Sequence, residues 1–258
     1  MFFKTIDFSR FSSIKVGEPI RVLMLERGDS IPLNRVIIGH ANNLLVSFNP
    51  PPLMMLSKDF SFTMLEDNLL TIGCATPMGK VLSFAKKYDL AGFEFVAKLP
   101  GSLGGMIAMN AGVKSYEIFN ILDAVKIDGI WVEKKDIEYG YRFAKLKGVA
   151  TEVKFKIKKG FDNTLLSELV TLRSNQPKTA SAGSAFKNPK GDYAGRLIEA
   201  VGLKGVSQGA MQWSEIHANF LVNHGGGSFK EAKYLIDLAK SRVFDEFGIE
   251  LQEEIQIL

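Results

Sequence analysis

A single cysteine, Cys74, among 258 residues leaves no partner for an internal disulfide and points to a reducing compartment, the cytoplasm. Three histidines and that one thiol form no cluster of metal-binding spacing, so no metal site is expected. No apolar run approaches the length that crosses a bilayer, and Lys4, Asp7 and Arg10 interrupt any signal-like core in Met1 to Phe11. A large excess of one charge sign is lacking too. The net charge of +4 is spread over scattered lysines, with only short clusters such as Lys156, Lys158 and Lys159, so nucleic acid is not an expected partner. What is there is a chain of ordinary hydrophobic content, 46%, long enough for one large domain or two smaller ones.

Periodicity divides the chain into strand-rich and helix-rich stretches. Ile20 to Leu25 and Val36 to Ile38 read as strands, and Pro50-Pro51-Pro52 forbids helix and marks a boundary between lobes. Phe62 to Leu65 and Leu69 to Ile72 flank a turn at Glu66-Asp67-Asn68, and Asp128-Gly129 joins two apolar triplets as a hairpin. Thr76-Pro77 opens a helix bearing Met78, Val81, Leu82 and Ala85 on one face. Val153, Phe155 and Ile157 alternate with lysines as in a half-exposed strand. Beyond Gly160 the pattern becomes helical: Leu165 to Arg173, then Ala194 to Val201, then a capping box at Ser228 to Glu231. That box opens a stripe of Phe229, Ala232, Leu235, Ile236, Ala239, Val243 and Phe244, which stops at Gly248. A strand over Leu251 to Ile257 is expected at the end, with Glu254 on the face opposite Leu251, Ile255 and Ile257.

Two stretches carry chemistry. In Ala182-Gly183-Ser184-Ala185-Phe186-Lys187-Asn188-Pro189, one hydroxyl sits among residues too small to crowd it, with a cation close behind. Such an octet is either a proton-transfer site open to a planar substrate or a solvated turn. In Leu99-Pro100-Gly101-Ser102-Leu103-Gly104-Gly105, three glycines in five positions make a loop whose amides can face an oxyanion. The same residues also serve tight turns and close helix packing.

Taken together, the chain resembles the UDP-N-acetylenolpyruvoylglucosamine reductase family, flavoenzymes of bacterial peptidoglycan synthesis. The resemblance runs through Gly39 to Leu45, Leu99 to Gly112, Tyr141-Arg142, Arg173 to Pro189, Gly195 to Gly205, Ser214 to Asn223 and Phe247 to Glu254. It implies an α+β fold with two FAD-binding lobes of the vanillyl-alcohol-oxidase (PCMH) type, residues 1–52 and 53–160. A C-terminal substrate-binding domain, residues 161–258, would follow. The stretch between Arg142 and Ser184 is too short for the substrate-covering insertion of longer members, so the compact subtype is implied.

The resemblance also implies roles. Ser184 matches the family's proton donor, Arg142 the arginine of its Tyr-Arg pair, and Glu254 its C-terminal acidic residue. Tyr141, Lys187, Asn188 and His217 match substrate contacts, while Gly39, His40, Ala41, Asn42, Asn43, Pro100, Gly101, Ser102, Gly104, Gly105 and Asn110 match the FAD site. Non-covalent FAD, NADPH as co-substrate and a monomer are implied as well. On the residues alone, Arg142 reads as a surface arginine on a tyrosine and Glu254 as a solvated strand end. His217 reads as a half-buried histidine satisfied by backbone.

The departures are local. The family's Gly-x-Gly-Ser-Asn loop stands here as Gly39-His40-Ala41-Asn42-Asn43, and Ala41 tolerates left-handed dihedrals poorly, so a reshaped loop is expected. Lys98 replaces a small residue, and the serine expected after Arg142 is missing from Phe143-Ala144-Lys145. Two rival readings stay open: FAD bound covalently through His40, and a flavin-binding module that has lost catalysis. Acid precipitation separates the first, and NADPH oxidation with the enolpyruvyl sugar nucleotide separates the second.

Overall fold

From Ala150 to Lys156 the side chains alternate, Val153 and Phe155 wholly buried and Lys156 outward, and this alternation places the strand at the centre of a five-stranded antiparallel sheet. The strands run in the order Ile130–Glu133, Leu122–Ile127, Ala150–Lys156, Leu69–Gly73, Thr63–Glu66. Register sets Val125, Val153 and Ile72 side by side and Phe155 beside Leu70, which makes one continuous apolar face. Helix Met78–Lys87 belongs to the same core through Met78, Val81 and Ala85, and Phe93 meets Phe155 edge-on at 5.2 Å. Both hairpins form at the expected turns, with Glu66 opposite Leu69 and Ile127 opposite Ile130.

The computed structural model describes all of residues 1–258, and the chain folds as two units. Unit 1 comprises Met1–Lys4, Val22–His40 and Pro52–Ser174; unit 2 comprises Thr5–Arg21, Ala41–Pro51 and Asn175–Leu258. Unit 1 also contains parallel pairs, Leu23 to Leu25 with Met54 to Leu56, and Val36–Ile37 with Leu53 and Met54. These boundaries differ from the expected 52/53 and 160/161. Leu169 of helix Asn163–Leu172 is buried in the core of unit 1, whereas Ile14, Val16 and Leu45 are buried in that of unit 2.

Unit 2 is built on a four-stranded antiparallel sheet in the order Ala180–Ser184, Phe220–Asn223, Met211–Trp213, Ser207–Gln208. Helices Ala194–Ala200 and Phe229–Phe247 pack into its core, where Phe186 stacks on Trp213 at 5.9 Å. The capping box forms as expected, Ser228 Oγ accepting from the Glu231 amide and the Glu231 carboxylate from the Ser228 amide. Mixed sheets and helices make this an α+β fold. No helix is long and apolar enough to cross a membrane.

Three expectations need correction. Thr76 does not cap its helix: its hydroxyl donates to the Phe62 carbonyl at 3.1 Å, and Pro77 stands at the cap without a side-chain bond. Phe244 leaves the apolar stripe and is 51% exposed, because it lies one residue, about 100° of rotation, beyond the buried Val243. The C-terminal strand is only Gln256–Ile257, paired in parallel with Leu44–Leu45, because Gln252 to Ile255 bond instead to the Ser184 segment.

Candidate active site

Ser184 ends strand Ala180–Ser184, so its hydroxyl is carried on sheet rather than on a free loop. Pairing with Phe220–Asn223 slips between Ser181 and Ser184, and Gly183 takes φ +82° within that slip. A left-handed glycine inside a strand bends it and re-aims the next side chain, which here is Ser184, half-buried. Beyond it the backbone is gripped on both sides. The Ala185 amide donates to the Asn219 carbonyl at 2.8 Å, and the Ala185 carbonyl accepts from the amides of Glu254 at 2.8 Å and Ile255 at 3.2 Å.

Those last bonds bring Glu254 beside Ser184 within unit 2, across some seventy residues of intervening chain. The Glu254 carbonyl in turn accepts from Asn43 Nδ2 at 2.8 Å, and Asn43 O accepts from the Gln256 amide at 2.9 Å. Glu254 is therefore anchored through its own backbone at both faces. Its neighbour Glu253 is used differently. Burial pushes the Glu253 carboxyl up, but a 2.7 Å bond from Lys240, a backbone bond and the charges of Lys240 and Lys233 together hold it below the usual range.

Sequence reasoning missed Asn219, which organises this corner. Its side chain is buried and pairs with the Phe186 backbone like a strand neighbour, Oδ1 accepting from the amide at 3.0 Å and Nδ2 donating to the carbonyl at 2.8 Å. A buried asparagine two residues after His217 is the only signal, and a polar residue beside an apolar run does not reveal its partner. His217 itself accepts the Asn219 amide on Nδ1 at 3.3 Å and packs on Phe220, and burial pushes its pKa down. Asn188 Oδ1 accepts the first amide of helix Ala194–Ala200, and the Lys187 amide donates to the Gln252 carbonyl.

Within the Gly39 to Asn43 loop the backbone turns left-handed at Ala41. Ala41 adopts φ +52° and is buried, its carbonyl accepting from the Ser13 amide, while the Asn42 carbonyl accepts from Ser13 Oγ. A residue with a Cβ in this left-handed conformation carries strain on the order of 1–2 kcal/mol.

In unit 1 a cavity of about 270 Å³ is lined by Gly39, His40, Ser102, Gly104 and Gly105 with apolar neighbours. Gly39 has no room for a side chain: a Cβ there would come 2.7 Å from Ser102 Oγ. Burial pushes the His40 pKa down, favouring a neutral ring. The expected loop of free amides is corrected here. Leu103–Ala108 is helical, and the amides of Leu103 and Gly104 already donate to Thr76 and Cys74 carbonyls. Pro100 is exposed, and Gly101 bonds through its carbonyl to the Met78 amide.

Asn110, expected at the cofactor, is wholly buried and spent on scaffold: Nδ2 donates to Glu117 and to the Gly140 carbonyl, and Oδ1 accepts from Phe119. That scaffold holds the hairpin Tyr139–Gly140 and Phe143–Ala144, whose two turn residues are Tyr141 and Arg142. Arg142 has φ +61°, lays its guanidinium 4.9 Å from the centre of the exposed Tyr141 ring and donates to the Gly112 carbonyl at 3.3 Å. Arg142 belongs to unit 1, Ser184 and Glu254 to unit 2.

Comparison with known proteins gives one family throughout. Residues 176–258 match the model of the UDP-N-acetylenolpyruvoylglucosamine reductase C-terminal domain. A UDP-N-acetylenolpyruvoylglucosamine reductase of Helicobacter hepaticus is 46% identical over 98% of both chains. One from Campylobacter jejuni is 43% identical over 98% of this chain and 99% of its own. The crystal structure of a UDP-N-acetylenolpyruvylglucosamine reductase from Thermus caldophilus superposes with a TM-score of 0.88 at 29% identity, covering 100% of this chain and 99% of that one.

Proposed function

The chain belongs to the UDP-N-acetylenolpyruvoylglucosamine reductase family, and we propose that it reduces the enolpyruvyl group of UDP-N-acetylenolpyruvoylglucosamine to UDP-N-acetylmuramate for peptidoglycan synthesis. NADPH is the electron source and non-covalently held FAD the carrier, bound by flavin-binding lobes of the PCMH type. The observation that carries this reading is the pairing, within unit 2, of the Ser184 strand end with the backbone of Glu254. A solvated turn and a free chain terminus have no reason to be bonded in this way.

The residues around the cavity suit a flavin. Four glycines and a hydroxyl line it, a Cβ on Gly39 would fill the approach to Ser102, and 270 Å³ takes one part of a dinucleotide, ring or diphosphate. Gly39, His40, Ser102, Gly104 and Gly105 would hold it there. FAD, when bound, supplies the hydride that adds to C3 of the enolpyruvyl alkene.

This chain's residues manage the charge and the proton. Addition at C3 leaves negative charge at C2 and on the adjoining carboxylate, and Arg142 binds that carboxylate with a guanidinium that keeps its proton at any physiological pH. Ser184 donates a proton to C2; its weak acidity suffices because the acceptor is a strongly basic carbon. Glu254 helps to polarise the substrate carboxylate, in a protonated or shielded state, since a bare carboxylate would repel it. Lys187, Asn188, Tyr141 and His217 position the sugar nucleotide.

The test is to time the two half-reactions separately. Ser184→Ala leaves reduction of the flavin by NADPH nearly intact and slows its reoxidation by the enolpyruvyl nucleotide at least ~10²-fold, the scale of a lost general acid. Equal loss in both halves would mean a folding or cofactor defect and would remove Ser184 from this role.

A further inference from the structure

Arg173 directly follows helix Asn163–Leu172, and its amide is held by the carbonyls of Val170 and Thr171. Its side chain is not held. The Nε atom is buried and has no hydrogen-bond partner, and no acidic side chain acts on the guanidinium. Buried polar atoms are almost always paired, and a buried cation commonly has a carboxylate beside it. Burial first, and then the positive charge of Arg142, make the charged state of Arg173 unfavourable. A helix C-terminus offers a cation some compensation. That accounts for an arginine being tolerated there, but neither for the orphaned Nε nor for a second arginine set near it in the same unit.

Nε and one Nη form the edge with which a guanidinium grips two oxygens of a carboxylate or phosphate. An unused Nε is half of such a fork. We infer that Arg173, together with Arg142, binds an oxyanion of the sugar nucleotide, either its enolpyruvyl carboxylate or its diphosphate. The inference rests on the functional reading above and deepens it. Arg142 would supply one guanidinium from a hairpin turn and Arg173 another from a helix end, two rigid supports for one anion.

Titration calorimetry on the FAD-loaded full chain tests this with two ligands: UDP-N-acetylenolpyruvoylglucosamine, and UDP-N-acetylglucosamine, which keeps the diphosphate but lacks the carboxylate. Arg173→Gln should weaken the enolpyruvyl nucleotide about 10- to 100-fold, the scale of a hydrogen-bonded charge, while the ligand-free melting temperature holds or rises because an unpaired buried cation is gone. Loss confined to the enolpyruvyl nucleotide assigns the carboxylate; loss with both ligands assigns the diphosphate. Arg173→Lys, which keeps the charge without the fork, should recover part of the affinity and serves as the test if the glutamine variant does not fold. Wild-type affinity for both ligands in these variants overturns the inference, and so does a lowered melting temperature with a matching loss of FAD binding. A wild-type chain that binds neither nucleotide would sink the functional reading as well.

Discussion

Arg142 occupies a left-handed backbone, a conformation that costs a residue with a Cβ about 1–3 kcal/mol. Glycine would take the same turn without strain, so the side chain is what the position is kept for. Arg142→Gly should therefore leave the melting temperature unchanged or up to about 3 °C higher, while turnover of the enolpyruvyl nucleotide falls ~10²-fold or more. Thermal melts and steady-state kinetics on one preparation decide it; a destabilised variant with intact turnover would make Arg142 a turn residue only. Ala41, in unit 2, carries the same kind of left-handed strain.

Elements convert such local costs into position. The Ser184 strand, the Phe220–Asn223 strand and the C-terminal segment meet at Ala185 and Phe186, and Asn219 closes the gap that the strand slip leaves between them. Asn219→Ala strips both Phe186 backbone groups of their partners inside the core, at an expected cost on the order of 2–5 kcal/mol. Denaturant titration should show that loss together with slowed substrate-dependent flavin reoxidation, because Ser184 and Glu254 both hang on this corner. A variant as stable as the parent would show that Asn219 is not its organiser. The hairpins and the capping box behave differently: each closes within four residues and was readable from Asp128-Gly129 or Ser228 to Glu231 alone.

At the scale of the molecule, buried titratable groups set how stability responds to pH. His40 and His217 are both pushed below the ordinary histidine value by burial. As pH falls below about 6.5, the unfolded chain takes up protons that the folded chain refuses, so stability declines as pH falls through that window and recovers as pH rises. Glu253, held below its ordinary range in the folded state, extends the decline at lower pH, where its bond to Lys240 is lost on protonation. Melting temperatures between pH 7.5 and 5.5 should drop in the parent chain and drop less in His217→Gln; identical slopes would remove His217 from the account.

Composition, motif order and short-range patterning were enough to determine the α+β class, most helices and hairpins, the family, and which serine, arginine and glutamate to examine. The class, helices and hairpins depend on sterics and hydrogen bonds among neighbours in the chain, which sequence proximity encodes directly, whereas the family and those three residues follow from the resemblance in motif order. Only the tertiary structure decided that Asn110 is scaffold, that the glycine stretch turns helical and commits the Leu103 and Gly104 amides, that Asn219 stands in for a strand, and that Arg173 is left with a bare Nε. Each of these is a question of which distant backbone or charge arrives opposite a given side chain. Packing of whole elements answers it, through partners that leave no local mark in the sequence.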